Sequence, residues 1–179
     1  MAKETLLVTG GCRSGKSARA LWEAEQMGGE KRLFVATCVP ADEEMEDRVA
    51  RHRRERGENW QTVECPVEIG RVIRETPSPS AVVLVDCLTL WVNNLLAVTD
   101  RQADIEAHIG DLEKAVREAA GSVILVSNEV GCGIVPENRT ARLFRDMVGL
   151  ANQRLAGAAD RVIWMVSGIP VTVKGAEKK

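Results

Sequence analysis

One stretch near the start of the chain constrains its fold more than any other. Residues 6–17 read LLVTGGCRSGKS, a short apolar run followed by the pattern G-x-x-x-x-G-K-S. The glycines let successive backbone N–H groups turn inward, and a helix that starts there adds the positive end of its dipole. We therefore expect a phosphate-binding loop in which Lys16 reaches the β- and γ-phosphates of a nucleotide and the Ser17 hydroxyl ligates Mg²⁺.

Apolar runs that alternate with helical patterns extend this strand–loop–helix unit along the chain. The alternation predicts an α/β fold, a P-loop (RecA-like), mostly parallel sheet with helices on both faces. At 179 residues and 45% apolar content, we expect a single domain spanning residues 1–179. After the first strand, the predicted strands are 33–37, 60–63, 81–86, 123–126 and 162–166. The predicted helices are 17–27, 42–56, 67–75, 88–97, 101–120 and 139–156.

Charge and cysteine usage indicate the cellular setting. The formal net charge is -2, which gives no reason to expect nucleic acid or an acidic membrane as a partner. The five cysteines form no C-x-x-C pair, and their number is odd, so neither a metal site nor a disulfide framework is expected. With no apolar run of membrane-spanning length, we expect a cytoplasmic protein without a membrane span.

An acidic residue ends the third strong apolar run. Asp86 follows Ala81–Val85, and a carboxylate at the end of a strand next to a phosphate loop is placed to hold Mg²⁺ opposite Ser17, partly through water. Ligands of such sheets bind beyond the carboxyl ends of the strands. We therefore expect Asp86, the phosphate loop, residues 36–38 and residues 128–129 to line one cleft.

A basic helix is the feature that a simple ATPase does not explain. At helical spacing Arg48, His52 and Arg56 fall at i, i+4 and i+8, so an imidazole shares a face with two guanidinium groups. Neighbouring positive charge keeps an imidazole neutral, the form that attacks phosphorus. The spacing alone leaves two interpretations open, a nucleophilic His52 or an ordinary solvated charged face.

Four segments together resemble the bifunctional adenosylcobinamide kinase/adenosylcobinamide-phosphate guanylyltransferases. The resemblance covers essentially the whole chain, in the family's order, with alanine more usual in the family where Cys12 stands. The segments are Thr9–Ser17, His52–Arg56 with Trp60–Glu64, Ser127–Pro136 and Val166–Pro170.

The resemblance implies two reactions in adenosylcobalamin (vitamin B12) biosynthesis. In the first, ATP or GTP phosphorylates adenosylcobinamide; in the second, GTP guanylylates a histidine and the GMP passes on to give adenosylcobinamide-GDP. It implies Mg²⁺, a homotrimer, His52 and Lys16 as catalytic residues, and a set of nucleotide-contacting positions. Those positions are Gly10, Gly11, Cys12, Arg13, Ser14, Gly15, Lys16, Ser17, Ala36, Thr37, Cys38, Arg53, Arg54, Glu55, Arg56, Glu64 and Asp86.

Two other functions remain compatible with the residues themselves. A P-loop kinase of another small metabolite needs only the phosphate loop and Asp86, and His52 is then dispensable. A non-catalytic RecA-like nucleotide-binding subunit uses its arginine cluster to contact a partner or nucleic acid, and salt then weakens its binding of polyanions.

Overall fold

The computed structural model describes residues 3–29, 31–39 and 59–176, and these form one seven-stranded sheet with five helices. The strands are β1 (Thr5–Gly10), β2 (Lys31–Ala36), β3 (Trp60–Glu64), β4 (Ala81–Asp86), β5 (Ser122–Val126), β6 (Arg161–Val166) and β7 (Ile169–Lys174). The helices are α1 (Lys16–Met27), α2 (Ile69–Arg74), α3 (Leu88–Val98), α4 (Gln102–Glu118) and α5 (Arg139–Ala158). The predicted basic helix 42–56 lies outside the described residues.

The sheet order is β3-β2-β4-β5-β1-β6-β7, and every neighbouring pair except β6–β7 is parallel. The prediction of a mostly parallel sheet is therefore confirmed. Strand β5 lies between β1 and β4, so it separates the phosphate loop from Asp86. Because all these strands run the same way, their carboxyl ends meet along one edge of the sheet.

Alternate side chains of each central strand enter different cores. One core packs α2 to α5 against one face of the sheet, with residues such as Leu7, Val85 and Leu125 at its centre. The other core lies under α1, which buries Ala20, Ala24 and Met27 at helical spacing against the opposite face. Both faces of the central strands are thus covered, as the uninterrupted apolar runs predicted.

Strand β7 is an element that the sequence reasoning missed. It pairs antiparallel with β6 through a two-residue turn at Ser167 and Gly168, whose φ angles are 51° and 86°. Positive φ at both positions is typical of the type I′ turn, which matches the twist of a hairpin. The hairpin adds an antiparallel edge to the sheet, and Pro170 is tolerated there because an edge strand leaves some N–H groups unpaired.

No helix in the part of the chain that the structure describes is long and apolar enough to cross a bilayer.

Candidate nucleotide site

The phosphate loop runs between β1 and α1 and is shaped by two positive-φ glycines at its ends, Gly10 at 150° and Gly15 at 89°. A Cβ placed on Gly10 would lie 2.4 Å from the carbonyl oxygen of Met165 in β6, closer than real Cβ atoms approach. Any side chain at position 10 therefore displaces the loop from the sheet. The first glycine of the motif is required here by contact with β6 as well as by its φ angle.

Lys16 is the cation of this loop, and it is only 8% exposed. Its Nζ donates a 2.5 Å hydrogen bond to the Gly11 carbonyl, which folds the side chain back over the loop. Burial lowers the pKa of Lys16 from its ordinary value, and the neighbouring acidic groups of Cys87 and Asp86 offset part of that shift. The ammonium and the Asp86 carboxylate are thus within electrostatic reach across the end of β5.

Strand register places Asp86 and Glu64 on the same face of the sheet. Ala36 is the partner of Glu64 on β3 and also of Asp86 on β4, so the three residues form one row across the carboxyl edge. Ala36 packs against the core under α1, which places the row on the face that α1 covers. Asp86 therefore lies on the Lys16 side of the sheet, whereas Glu64 lies two strands farther from the phosphate loop and is exposed.

The loop after β2 is fixed by a buried hydroxyl. Thr37 is fully buried; its Oγ1 donates to the Cys87 carbonyl and accepts from the Cys87 N–H, both at 2.8 Å. Asn94 of α3 adds hydrogen bonds from its Nδ2 to the carbonyls of Thr37, at 2.8 Å, and Pro66, at 3.0 Å. These contacts join the ends of β2, β3 and β4 into a single rim.

The polar loop after β5 is held on several sides. The N–H groups of Ser127 and Glu129 each donate 3.0 Å hydrogen bonds to carbonyls of β1, at Val8 and Gly10. From α3, Thr89 Oγ1 accepts hydrogen bonds from both the backbone N–H and the side-chain Nδ2 of Asn128, at 2.9 and 3.1 Å. The polar loop after β5 is therefore anchored to β1, the strand that leads into the phosphate loop.

Helix α5 holds the same loop from its other side. Asn152 Nδ2 donates to the Asn128 carbonyl at 3.1 Å, and Arg145 Nη2 donates to the Gly131 carbonyl at 2.6 Å. The Gly131 N–H donates to Glu129 Oε1 at 2.7 Å, which fixes that carboxylate within its own turn. The loop therefore presents Glu129 in a fixed position next to Gly10.

The structure brings together most of the site residues predicted from the sequence. The phosphate loop (Gly10–Ser17), residues 36–38 and Asp86 meet at one edge with residues 128–129, because β2, β4, β5 and β1 are consecutive in the sheet. Glu64 is at the same edge but farther away. The predicted residues His52, Arg53, Arg54, Glu55 and Arg56 lie outside the described residues.

Several supporting residues were missed. Thr89 and Asn94 belong to a helix that is otherwise strongly apolar, LTLWVNNLLAV, and a polar residue in such a run is a signal that sequence reasoning can use. Arg145 and Asn152 carried no such signal, because polar residues are ordinary in an amphipathic helix such as α5.

The fold and the site together define a P-loop nucleotide-binding protein of the RecA-like class. Solved structures with this fold include the ATPase domain of G40P, at a TM-score of 0.50 and 16% identity over 90% of this chain and 69% of that chain. The crystal structure of the RadB recombinase is similar at a TM-score of 0.51, with 16% identity over 90% of this chain and 73% of that one. At such identities the likeness concerns the fold alone.

Sequence similarity is much more specific. The family model described as cobinamide kinase / cobinamide phosphate guanyltransferase matches residues 6–173, and the chain belongs to this family. The Escherichia coli (strain K12) bifunctional adenosylcobalamin biosynthesis protein CobU is 43% identical over 94% of this chain and 99% of its own length. The Pseudomonas aeruginosa counterpart, CobP, is 38% identical over 94% of this chain and 96% of its own.

Proposed function

We propose that this protein carries out both reactions named in its family's description, cobinamide kinase and cobinamide phosphate guanyltransferase, and that its substrates are the adenosylated forms, adenosylcobinamide and then adenosylcobinamide phosphate. The observation that carries the proposal is the convergence of Lys16 and Asp86 at one sheet edge, in a chain whose family match extends over residues 6–173. The seven strands of the described residues form one sheet, which supports the proposal that residues 1–179 act as one domain.

In the first reaction, the acceptor hydroxyl of adenosylcobinamide attacks the γ-phosphorus of ATP or GTP. The O–P bond to the acceptor forms as the bond to the β-phosphate oxygen breaks, and the hydroxyl proton passes to water. The Lys16 ammonium and the backbone N–H groups of residues 10–17 stabilise the negative charge on the phosphoryl oxygens.

The oxygen atoms of Ser17 and Asp86 fit Mg²⁺, which prefers oxygen ligands and uses one or two carboxylates together with substrate phosphates. Asp86 lies on the α1 face of the sheet, and Ser17 is the second residue of α1. When bound, the ion would supply further charge neutralisation at the β- and γ-phosphates.

In the second reaction, we propose that the His52 imidazole attacks the α-phosphorus of GTP and releases pyrophosphate. A phosphate oxygen of adenosylcobinamide phosphate then attacks the guanylyl phosphorus, the P–N bond breaks, and adenosylcobinamide-GDP leaves. A covalent intermediate divides one difficult transfer into two displacements. Arg53–Arg56 and Glu64 are proposed to bind the GTP used in this step.

Intact-protein mass after incubation with GTP and Mg²⁺ tests this half of the function. We expect an acid-labile gain of one GMP in the parent protein and none in His52→Ala. The chain has two histidines, so His108→Ala is a matched control and should retain the adduct. If no adduct forms while phosphoryl transfer to adenosylcobinamide proceeds, the function reduces to that of a kinase.

We propose a cytoplasmic homotrimer with small-molecule substrates and no nucleic-acid partner. An apolar stripe on the β6–β7 hairpin supports self-association: Trp164 is 43% exposed, its cross-strand partner Val171 is 43% exposed, and Ile169 is 65% exposed. Light scattering should show that Trp164→Lys weakens the trimer. Trp22→Lys is the matched control, because Trp22 is equally exposed, at 44%, but lies on α1.

A further inference from the structure

A cavity of about 490 Å³ lies where the N-terminus of α5 meets the start of α4, and neither the proposed reactions nor the predicted site residues make use of it. Three arginines and two aspartates line this α5 cavity, namely Arg101, Arg139, Arg142, Asp100 and Asp146. Within the described ranges, Arg139, Asp100 and Asp146 form no ion pair. The α5 cavity therefore presents guanidinium donors and carboxylate acceptors that do not bind each other.

Separate donors and acceptors in one cavity suit a neutral ligand that carries both kinds of group. A primary carboxamide is such a group, because its carbonyl oxygen accepts from a guanidinium and its NH₂ donates to a carboxylate. A phosphate is less suitable, because Asp100 and Asp146 repel it. The lining therefore favours a ligand with carboxamide side chains over a simple anion.

The polar loop after β5 connects the α5 cavity to the phosphate loop. The loop begins beside Gly10, where Asn152 of α5 donates to the Asn128 carbonyl. Its other end is bound by Arg142, which donates to the carbonyls of residues 136 and 137 at 3.1 and 2.5 Å. Arg142 and Asn152 are ten residues apart on α5, which corresponds to about 15 Å along the helix axis. A ligand that occupies the cavity and also reaches the phosphate loop must therefore be large.

Two apolar side chains are exposed next to the bound end of this loop. Ile134 is 96% exposed and Val135 is 63% exposed, and both directly precede Pro136, whose carbonyl Arg142 binds. Side chains this exposed have apolar area left to bury against a ligand. Apolar surface next to a few polar groups is typical of a site for a small molecule.

We propose that adenosylcobinamide binds over this end of the polar loop, with carboxamide side chains of its corrin ring in the α5 cavity and the ring edge against Ile134 and Val135. The hydroxyl that becomes phosphorylated is at the end of a flexible arm, so it can reach the phosphate loop from there. The proposal rests on the proposed function and names the binding site of its acceptor. Arg139 and Asp146 then bind substrate without contacting the reacting atoms.

Equilibrium dialysis with adenosylcobinamide, detected by its visible absorbance, measures binding without turnover. Arg139→Gln and Asp146→Asn each change an exposed side chain that has no ion pair among the described residues, so both variants should fold like the parent. We expect the Kd to rise about tenfold in each, because a hydrogen bond to a charged group is lost. Arg154→Gln is the matched control, since it makes the same change farther along α5 and should bind like the parent. An unchanged Kd in both cavity variants, or an equal rise in Arg154→Gln, would overturn the proposal.

A corrinoid whose carboxamides are hydrolysed to carboxylates tests the assigned chemistry. Asp146→Asn removes a negative charge from the cavity, so it should shift the preference toward the carboxylate form. Arg139→Gln removes a positive charge and should shift the preference toward the carboxamide form. Failure of the two variants to shift the preference in opposite directions would contradict carboxamide binding in the α5 cavity.

The apolar contact has its own test. Ile134→Ser should weaken the binding of adenosylcobinamide several-fold, and light scattering should give the same molecular mass as for the parent. Trp22→Ser is the control, because it removes an exposed apolar side chain from α1, on the other face of the sheet, and should leave binding unchanged. Dissociation of the assembly in Ile134→Ser would assign Ile134 to a subunit contact and overturn its part in the site.

Kinase kinetics separate the failure of this proposal from the failure of the proposed function. Arg139→Gln and Asp146→Asn should raise the KM for adenosylcobinamide, with little change in kcat or in the KM for ATP. A parent protein that binds adenosylcobinamide without phosphorylating it would refute the kinase function and leave the site standing. An active parent whose cavity variants bind normally would refute the site alone, and a parent that binds no adenosylcobinamide would refute both.

Discussion

The Thr37 hydroxyl and the backbone of Cys87 exchange two hydrogen bonds of 2.8 Å, one in each direction, across the boundary between β2 and β4. A threonine side chain thus takes the place of a peptide group where the strand ladder ends. Both partners are buried, so neither bond has water as a substitute.

Replacing this hydroxyl should cost considerable stability. Thr37→Val retains the side-chain shape but leaves the buried N–H of Cys87 unpaired, whereas the Cys87 carbonyl keeps its 3.1 Å hydrogen bond from the Trp91 N–H. We expect a loss of about 1–3 kcal/mol in the free energy of unfolding. Urea unfolding followed by circular dichroism measures it. Thr76→Val is the control: it removes a single 2.8 Å hydrogen bond to the Val72 carbonyl in a half-buried helix end, with an expected cost of about 1 kcal/mol. An equal loss of unfolding free energy in the two variants would show that the hydrogen bonds of Thr37 contribute no more to stability than the single hydrogen bond of Thr76.

The Lys16 ammonium is expected to support phosphoryl transfer and, at the same time, to lower the stability of the folded protein. Lys16→Met should reduce phosphoryl transfer by about 10²–10³-fold, because a cation aimed at the transferred phosphate is lost. The same variant should be more stable than the parent at pH 7, since burial disfavours the charged ammonium in the folded state.

The pH dependence of that stability difference has a definite sign. The folded protein binds the Lys16 proton less tightly than the unfolded chain, so the parent gains stability as the pH rises from the folded pKa toward the ordinary value of 10.5. The advantage of Lys16→Met should therefore shrink over that interval. Unfolding curves at neutral and alkaline pH check this, and an advantage that grows with pH would contradict it.

A buried ion pair fastens α1 to the opposite end of the sheet. Arg161 donates to both carboxylate oxygens of Glu23 and, at 2.8 Å, to Glu4, and Glu23 is fully buried. Arg161→Met should lower the free energy of unfolding by about 3–5 kcal/mol, because the buried Glu23 carboxylate loses the hydrogen bonds and the positive charge of Arg161. Arg117→Met, which breaks the exposed pair with Glu113, should lose about 1 kcal/mol or less. Thermal unfolding of the two variants makes the comparison, and similar losses would argue against a strong buried pair.

The same pair predicts an acid transition. Burial acts to raise the pKa of Glu23, but hydrogen bonds from Arg161 and Arg19 outweigh burial and hold that pKa below its ordinary 4.5. The pair therefore stabilises the fold fully above pH 4.5, and this stability is lost as the pH falls through the folded pKa. Glu23→Gln should remove this part of the pH dependence between pH 7 and pH 3. An unchanged pH profile in Glu23→Gln would show that other carboxylates govern the acid transition.

Two glycines of the polar loop provide a matched test of Glu129. A Cβ on Gly131 would lie 2.9 Å from Glu129 Oε1, whereas a Cβ on Gly133 would have no atom within 4 Å among the described residues. Gly131→Ala should push the Glu129 carboxylate out of its fixed position next to Gly10 and lower kinase kcat several-fold, with a change in stability of about 0.5 kcal/mol or less. Gly133→Ala should be neutral in both assays. Wild-type kcat in Gly131→Ala would show that the position of Glu129 has no part in the reaction.

Much of this architecture could be predicted from the sequence, because the central strands are buried on both faces and appear as uninterrupted apolar runs. The phosphate loop and Asp86 were predictable for a related reason: each follows such a run, so the end of the strand fixes its location. The positions of Ala36 and Thr37 at this edge could be predicted in the same way, because they stand at the end of the apolar run that forms β2.

The hairpin was harder to recognise. Val171 and Val173 alternate with Thr172 in β7, and Ser167–Gly168 separates this run from β6, which together form a hairpin signal. The signal was weak because Pro170 interrupts it and both faces of β7 are exposed, so no core periodicity marks the strand. The contacts of Arg145 and Asn152 were beyond prediction, since they depend on how α5 crosses the loop rather than on local pattern.

Strand β5 acts as a spacer of fixed width. It contributes no residue to the proposed catalytic set, yet it holds β1 and β4 two interstrand spacings apart, roughly 10 Å. The backbone hydrogen bonds of its two ladders set this gap between the cation of the loop and the carboxylate of Asp86, and the five residues Ser122–Val126, all buried, keep those hydrogen bonds away from water. Conservative changes of side-chain volume in this strand should therefore leave the separation of Lys16 and Asp86 unchanged, whereas a substitution that breaks a ladder hydrogen bond of β5 should alter turnover without touching either residue.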